Sequence, residues 1–264
     1  TTTLKVLSGL LYPTSGDVSV LDFQPWDRKP QFQKQFSLVM GQKNQLWWDL
    51  PAIESFQLNK AIYEISDREY KKVLSELVEL LGVSEILKIQ VRKLSLGERM
   101  KCELIAALLH SPKILFLDEP TIGLDVVMQK KMREFIYTYN RQHKATIILT
   151  SHYMEDVKEL CSRVIMIDRG HLAFDGSLSK IIEEYADHKI LSIVLGDNLD
   201  KDSLAAVGEI VHYQFPKVVI KVPRKGASAA AAKLFEIADV DDLTIEEPPI
   251  EDIIRELFTG KDIA

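Results

Sequence analysis

The sequence predicts an α/β protein built on a parallel sheet, followed by a small α+β domain, and three patterns lead there. Three short, nearly continuous apolar runs, 113–118, 145–150 and 163–167, are each bounded by polar or turn residues, as expected for strands covered on both faces. The segments between them, 127–142 and 153–161, are long enough and polar enough on one side to be crossover helices, giving a βαβαβ unit. After about residue 187 the pattern turns to alternating strands at 189–195 and 217–222 around an alanine-rich helix at 227–238.

Between residues 50 and 110 the pattern is helical throughout, clearest where Val73, Leu77, Leu80 and Leu81 fall at i, i+4, i+7 and i+8. This stretch reads as a helical subdomain inserted into the α/β core. A last helix at about 250–258 follows Pro248-Pro249, which set its N-terminal edge. The expected division is therefore 1–186 and 187–264.

Composition narrows the function. With 264 residues, 46% of them hydrophobic, the chain can bury one sizeable core and a smaller second one. Its longest apolar stretches, such as 104–109, fall far short of the roughly 18 residues a membrane-crossing helix needs. A net charge of −6 gives no electrostatic case for nucleic acid. Cys102 and Cys161 sit in helical patterns and read as small buried side chains, which suits a reducing compartment.

The strongest local signal is Ile114-Leu115-Phe116-Leu117-Asp118-Glu119-Pro120, a hydrophobic strand ending in two adjacent carboxylates. Ligands of open α/β sheets bind beyond the carboxyl ends of strands, so both acids stand where a nucleotide would sit. A strand ending in a plain polar turn explains the same residues equally well. Four neighbouring motifs break the tie. Leu94-Ser95-Leu96-Gly97-Glu98-Arg99 opens a helix 23 residues before Asp118 (counting from Ser95), and Gly123-Leu124-Asp125 follows Glu119 after a short turn. Thr150-Ser151-His152 closes the next strand and Met40-Gly41-Gln42 an earlier one.

In this order the motifs resemble the ABC ATPases over about residues 1–186, which implies a P-loop NTPase core. The resemblance implies that Asp118 is the Walker B aspartate on Mg²⁺, Glu119 the catalytic base, and His152 the switch histidine at the γ-phosphate. It makes Gln42 the glutamine that contacts Mg²⁺ and the attacking water. Ser95, Gly97 and Glu98 become the signature that reaches the ATP of a partner subunit, and Asp125 a dimer contact. Leu96 and Glu98 stand where the family usually has glycine and glutamine. Ser95 with Glu98 also makes a plain capping box, and both roles can hold together.

Thr1-Thr2-Thr3-Leu4-Lys5-Val6-Leu7-Ser8-Gly9 resembles the stretch just after G-x-x-x-x-G-K in a Walker A motif. That places Thr1 as an Mg²⁺ ligand and Thr2 as a phosphate contact, with the glycines and lysine expected upstream of Thr1. As it stands the chain is expected to bind ATP poorly.

Trp47 and Trp48, beside Gln42, are expected either to anchor a partner helix or to belong to the core. With Thr121-Ile122-Gly123-Leu124-Asp125-Val126-Val127 and Glu246-Glu247-Pro248-Pro249-Ile250-Glu251, this stretch resembles exporter-type bacterial members of the family. The implied partners are membrane permease subunits and a second ATPase subunit, at the cytoplasmic face of the membrane. ABC ATPases acting on DNA ends carry a long coiled coil between glutamine and signature, whereas Gln42 and Ser95 are 53 residues apart. Ribosomal members carry two cassettes, and one is present here. A regulatory pseudo-ATPase would have no need of both Glu119 and His152.

Overall fold

A computed structural model describes residues 1–41 and 43–259. The chain divides into two compact units, Thr1–Leu160 and Cys161–Ala264, a division that falls earlier than residue 187.

In the first unit, helices α1 (Thr2–Leu7) and α2 (Pro30–Gln33) precede strand β1 (Phe36–Met40). Three helices come next: α3 (Ala52–Ile62), α4 (Asp67–Leu81) and α5 (Leu96–Leu108). Strand β2 (Ile114–Asp118), helix α6 (Val126–His143), strand β3 (Thr146–Thr150) and helix α7 (Met154–Leu160) complete it. The three strands form a parallel sheet in the order β1-β2-β3. Four consecutive residues of β2, from Ile114 to Leu117, are buried, as a strand covered on both faces requires.

The hydrophobic run of α5 is buried from Cys102 to Leu109 and packs with Val39, Leu115 and Leu117 of the sheet and Phe135, Ile136 and Tyr139 of α6. A smaller cluster of Leu4, Phe32, Ile114 and Phe116 joins α1 and α2 to the sheet. Helix α4 starts at Ser66, whose hydroxyl accepts the Glu69 N–H, and ends at Gly82 with φ 60°. Those are the start and stop signals its sequence carries.

The second unit opens with strands β4 (Val164–Asp168) and β5 (His171–Gly176), and here the expectation is corrected. The run 163–167 is not a third strand of a βαβαβ unit, because β4 pairs antiparallel with β5. Arg169 at φ 45° and Gly170 at φ 83° form a tight turn with two left-handed residues, which sends the chain straight back on itself.

Helix α8 (Leu178–Tyr185) leads into strand β6 (His188–Leu195), helix α9 (Lys201–Ala205), strand β7 (Glu209–Gln214) and strand β8 (Lys217–Pro223). Helix α10 (Ala227–Ile237), strand β9 (Val240–Glu246) and helix α11 (Ile250–Thr259) close the chain's described part. The antiparallel order β7-β8-β6-β9 with helices after the first and third strands is a ferredoxin-like βαββαβ arrangement. Its core is the alternate set Leu191, Ile193, Leu195, Val218, Ile220 and Val222 against Ala227, Ala231 and Leu234.

Candidate functional site

The site is assembled by strand register. Met40 pairs with Asp118, and Asp118 with Thr150, so the three strands end in one row. The residues that leave them, Gly41, Glu119 and Ser151-His152, therefore emerge side by side at the carboxyl edge of the sheet.

Asp118 lies at the centre of the row. It accepts hydrogen bonds from the Thr1 hydroxyl on both oxygens, at 2.8 and 2.9 Å, and from the Thr150 hydroxyl at 2.8 Å. Partial burial pushes its pKa up, but the hydrogen bonds from the hydroxyls of Thr150 and Thr1 oppose this, and the carboxyl lies below its ordinary value. It is a carboxylate with oxygen donors gathered round it. Thr2 opens α1, exposed.

Glu119 turns the chain out of β2 with φ 52°, a left-handed backbone that a branched or bulky residue rarely adopts and that recurs at functional sites. Its N–H is held by the carbonyl and hydroxyl oxygens of Thr150, at 3.0 and 3.2 Å. Its carboxylate stands 3.4 Å from Nδ1 of the exposed His152. Gly41 makes this fold of the chain possible. Its N–H donates to the Asp118 carbonyl at 2.9 Å, and a Cβ on it would lie 2.2 Å from the Glu119 carbonyl oxygen, a space only glycine can occupy. Gln42, the expected water and metal contact, lies outside the described residues.

Of the residues expected to form the signature, Ser95 and Glu98 bond to each other. Ser95 caps α5 and accepts the Glu98 N–H at 3.3 Å, while the Ser95 N–H and hydroxyl both donate to Glu98 Oε2 at 2.8 Å. These two bonds hold the Glu98 carboxyl below its usual range. Gly97 is buried beneath Met128, whose Cε a Cβ would approach to 2.8 Å, so its glycine serves the packing of α5 on α6. Asp125 caps α6 by accepting the Met128 N–H at 2.9 Å, and Val126 and Val127 beside it are exposed.

Two arrangements were not found by reading the sequence. Behind the reactive row, Asp156 is buried and accepts the hydroxyls of Thr121 and Ser151, with Arg133 on its other oxygen. Under the segment just after Gln42, the Glu103 carboxylate of α5 accepts the Gln45 N–H at 2.9 Å. The only sequence signal for either was an acid at a position the helix pattern makes apolar, as at Glu103 between Cys102 and Leu104. Trp47 and Trp48 are 57% and 48% exposed, which decides against a core role. Trp47 borders a groove of about 480 Å³ lined also by Leu38, Leu46, Leu58, Ile62 and Tyr63, and the Trp48 ring lies 5.7 Å from the Arg99 guanidinium.

Comparison with known proteins bears on the family and the fold. Residues 1–122 match the ABC transporter family, and residues 187–246 match the family described as the EvrA-like ABC transporter, C-terminal domain. The ABC transporter ATP-binding protein NatA of Bacillus subtilis is 32% identical over 183 residues, 69% of this chain and 74% of that protein. The linearmycin resistance ATP-binding protein LnrL of the same organism is 28% identical over 211 residues, 80% of this chain and 67% of that protein. A solved structure of the ATP-binding subunit of an ABC transporter superposes with a TM-score of 0.62 at 25% identity, covering 70% of this chain and 76% of that one. On these likenesses the chain belongs to the ABC transporter family as one of its ATP-binding, ATP-hydrolysing subunits.

Proposed function

We propose that this subunit hydrolyses ATP at the row Asp118, Glu119 and His152 to drive export through separate membrane permease subunits, from the cytoplasmic face of the membrane. The observation that carries the reading is the placing of Glu119 at the mouth of the sheet, between Asp118 and His152. There its carboxylate can orient and deprotonate a water while the imidazole meets the γ-phosphate. The names of LnrL, a resistance protein, and of the bacitracin transport protein BcrA of Bacillus licheniformis support export rather than uptake.

Mg²⁺ takes oxygen ligands and keeps several waters. The Thr1 hydroxyl and the Asp118 carboxylate, in contact at 2.8 Å, make a donor set that fits it, with Gln42 as a further oxygen. The ion would offset charge on the β- and γ-phosphates. Thr2 supplies a phosphate contact.

The signature lies on a separate element from the reactive row and makes its own bonds. This supports a role in trans, with Ser95, Gly97 and Glu98 presenting a helix N-terminus to ATP held by a second copy and Asp125 at the same interface. Permease docking falls to the groove beside Trp47, of mixed polar and apolar lining, because it adjoins the segment just after Gln42. Among the described residues no helix is long and apolar enough to cross a membrane.

Sedimentation of a full-length Glu119→Gln subunit tests the proposal. Binding without turnover should convert it from monomer to dimer on adding ATP and Mg²⁺. A monomer at saturating nucleotide would overturn the shared-site reading.

A further inference from the structure

We infer that Asp156 is a positioning residue for hydrolysis, a buried clamp that sets the distance between Glu119 and His152. The inference rests on the reading of those two residues as the reacting pair. Asp156 stands in α7 and is 0% exposed. Its Oδ2 accepts two hydroxyl hydrogen bonds, from Thr121 at 2.6 Å and from Ser151 at 2.7 Å. Thr121 is two residues beyond Glu119, and Ser151 immediately precedes His152. One oxygen atom therefore joins the turn that carries the base to the turn that carries the imidazole.

The clamp is itself fixed. Arg133 of α6 reaches Asp156 Oδ1 at 3.2 Å and Glu159 at 3.0 Å, so the buried carboxylate is charge-paired and both of its oxygens are engaged. The Ser151 hydroxyl also accepts the Tyr153 N–H at 3.0 Å, which orients the turn just past His152.

The alternative for these groups is a purely structural network that stabilises α6 and α7. The two roles differ in what happens when one hydroxyl is removed. A clamp needs both hydroxyls to hold two turns at one distance, so losing either releases the pair. Stability contributed by two separate hydrogen bonds is lost bond by bond. Groups acting as one unit are non-additive in a double-mutant cycle.

Asp156→Ala would leave Arg133 buried without its partner and could unfold the protein, so the hydroxyls carry the test. Thr121→Val, Ser151→Ala and the double variant are compared in the full-length subunit, with Thr121→Ser and Glu119→Gln alongside. We expect each single variant to lower kcat tenfold or more with KM for ATP within twofold. The double variant should match either single, and Thr121→Ser should restore the rate. Wild-type kcat in the singles, losses that multiply in the double, or a Thr121→Ser that fails to recover overturns the clamp while Glu119→Gln stays inactive. Normal turnover in Glu119→Gln overturns the reading beneath it, and the clamp with it.

Discussion

Nδ1 of His152 stands 3.4 Å from Oε1 of Glu119, and the two residues leave adjacent strands whose ends, Asp118 and Thr150, are register partners. The contact is thus a product of sheet pairing, and it places the proposed base and the proposed switch imidazole around one point in space.

Replacing Glu119 with Gln keeps the shape and the contact to His152 but removes the basic oxygen. ATP turnover of the full-length subunit is expected to fall by about 10² to 10⁴, with ATP affinity retained. Steady-state hydrolysis and equilibrium nucleotide binding on the same preparation check this, and near-normal turnover removes Glu119 from the role.

Gly41→Ala forces a methyl into the Glu119 carbonyl oxygen, a backbone atom that cannot swing away. Overpacking of this kind costs about 1–3 kcal/mol, and the displaced Glu119 should lose most of its activity. Gly226→Ala is the control, since a Cβ there meets nothing within 4 Å. Equal melting temperatures for the two variants would contradict the close approach.

Trp47 and Trp48 are exposed, so changing both to Ala should leave the melting temperature of the isolated subunit within a few degrees while weakening co-purification with the membrane partner. A large thermal loss would return them to the core.

The buried Glu103 and the part-buried His110 should tilt stability with pH in opposite directions. Burial pushes the Glu103 carboxyl up to about 7 despite the N–H groups of Gln45 and Leu46 and the charge of Arg99. Folded protein therefore holds this proton more tightly than unfolded, and the stability it confers is present below about pH 4.5 and lost as pH rises through 7. His110, stacked 3.8 Å from the Tyr63 ring, is pushed down to about 4 by burial. Its contribution is present above about pH 6.5 and lost as pH falls through 4. Denaturation midpoints of wild type, Glu103→Gln and His110→Phe across pH 4 to 8 should differ in slope with these opposite signs. Parallel profiles for all three would refute the assignment.

The shared edge that carries the candidate site was legible because its parts are local: a hydrophobic strand ending in Asp118-Glu119, and a strand ending just ahead of Ser151-His152, announce themselves within a few residues. What escaped depends on tertiary contact. No pattern in α6 or α7 marks Arg133 and Asp156 as partners, and Glu103 looks like a misplaced acid until the Gln45 N–H is found above it. The run 163–167 has the composition of a buried parallel strand, and the signal that it turns back lay in Arg169-Gly170, whose left-handed geometry decides the pairing. Trp47 and Trp48 could not be placed from sequence, because an aromatic pair looks alike in a core and on a docking surface.

The common finishing line of β1, β2 and β3 also says where this chain can change length. The long helical excursion between β1 and β2 leaves Met40 and Asp118 still paired, so residues added to or lost from the connections need not disturb the chemistry. One residue inserted within β2 is another matter. It would advance Asp118 by about 3.3 Å and exchange the two faces of the strand beyond it, parting the carboxylates from Thr150 and His152 at a stroke. Tolerance to insertion should follow this division, greatest in connection stretches away from residues 41–42, 95–98, 119–125 and 151–156, and absent within the strands.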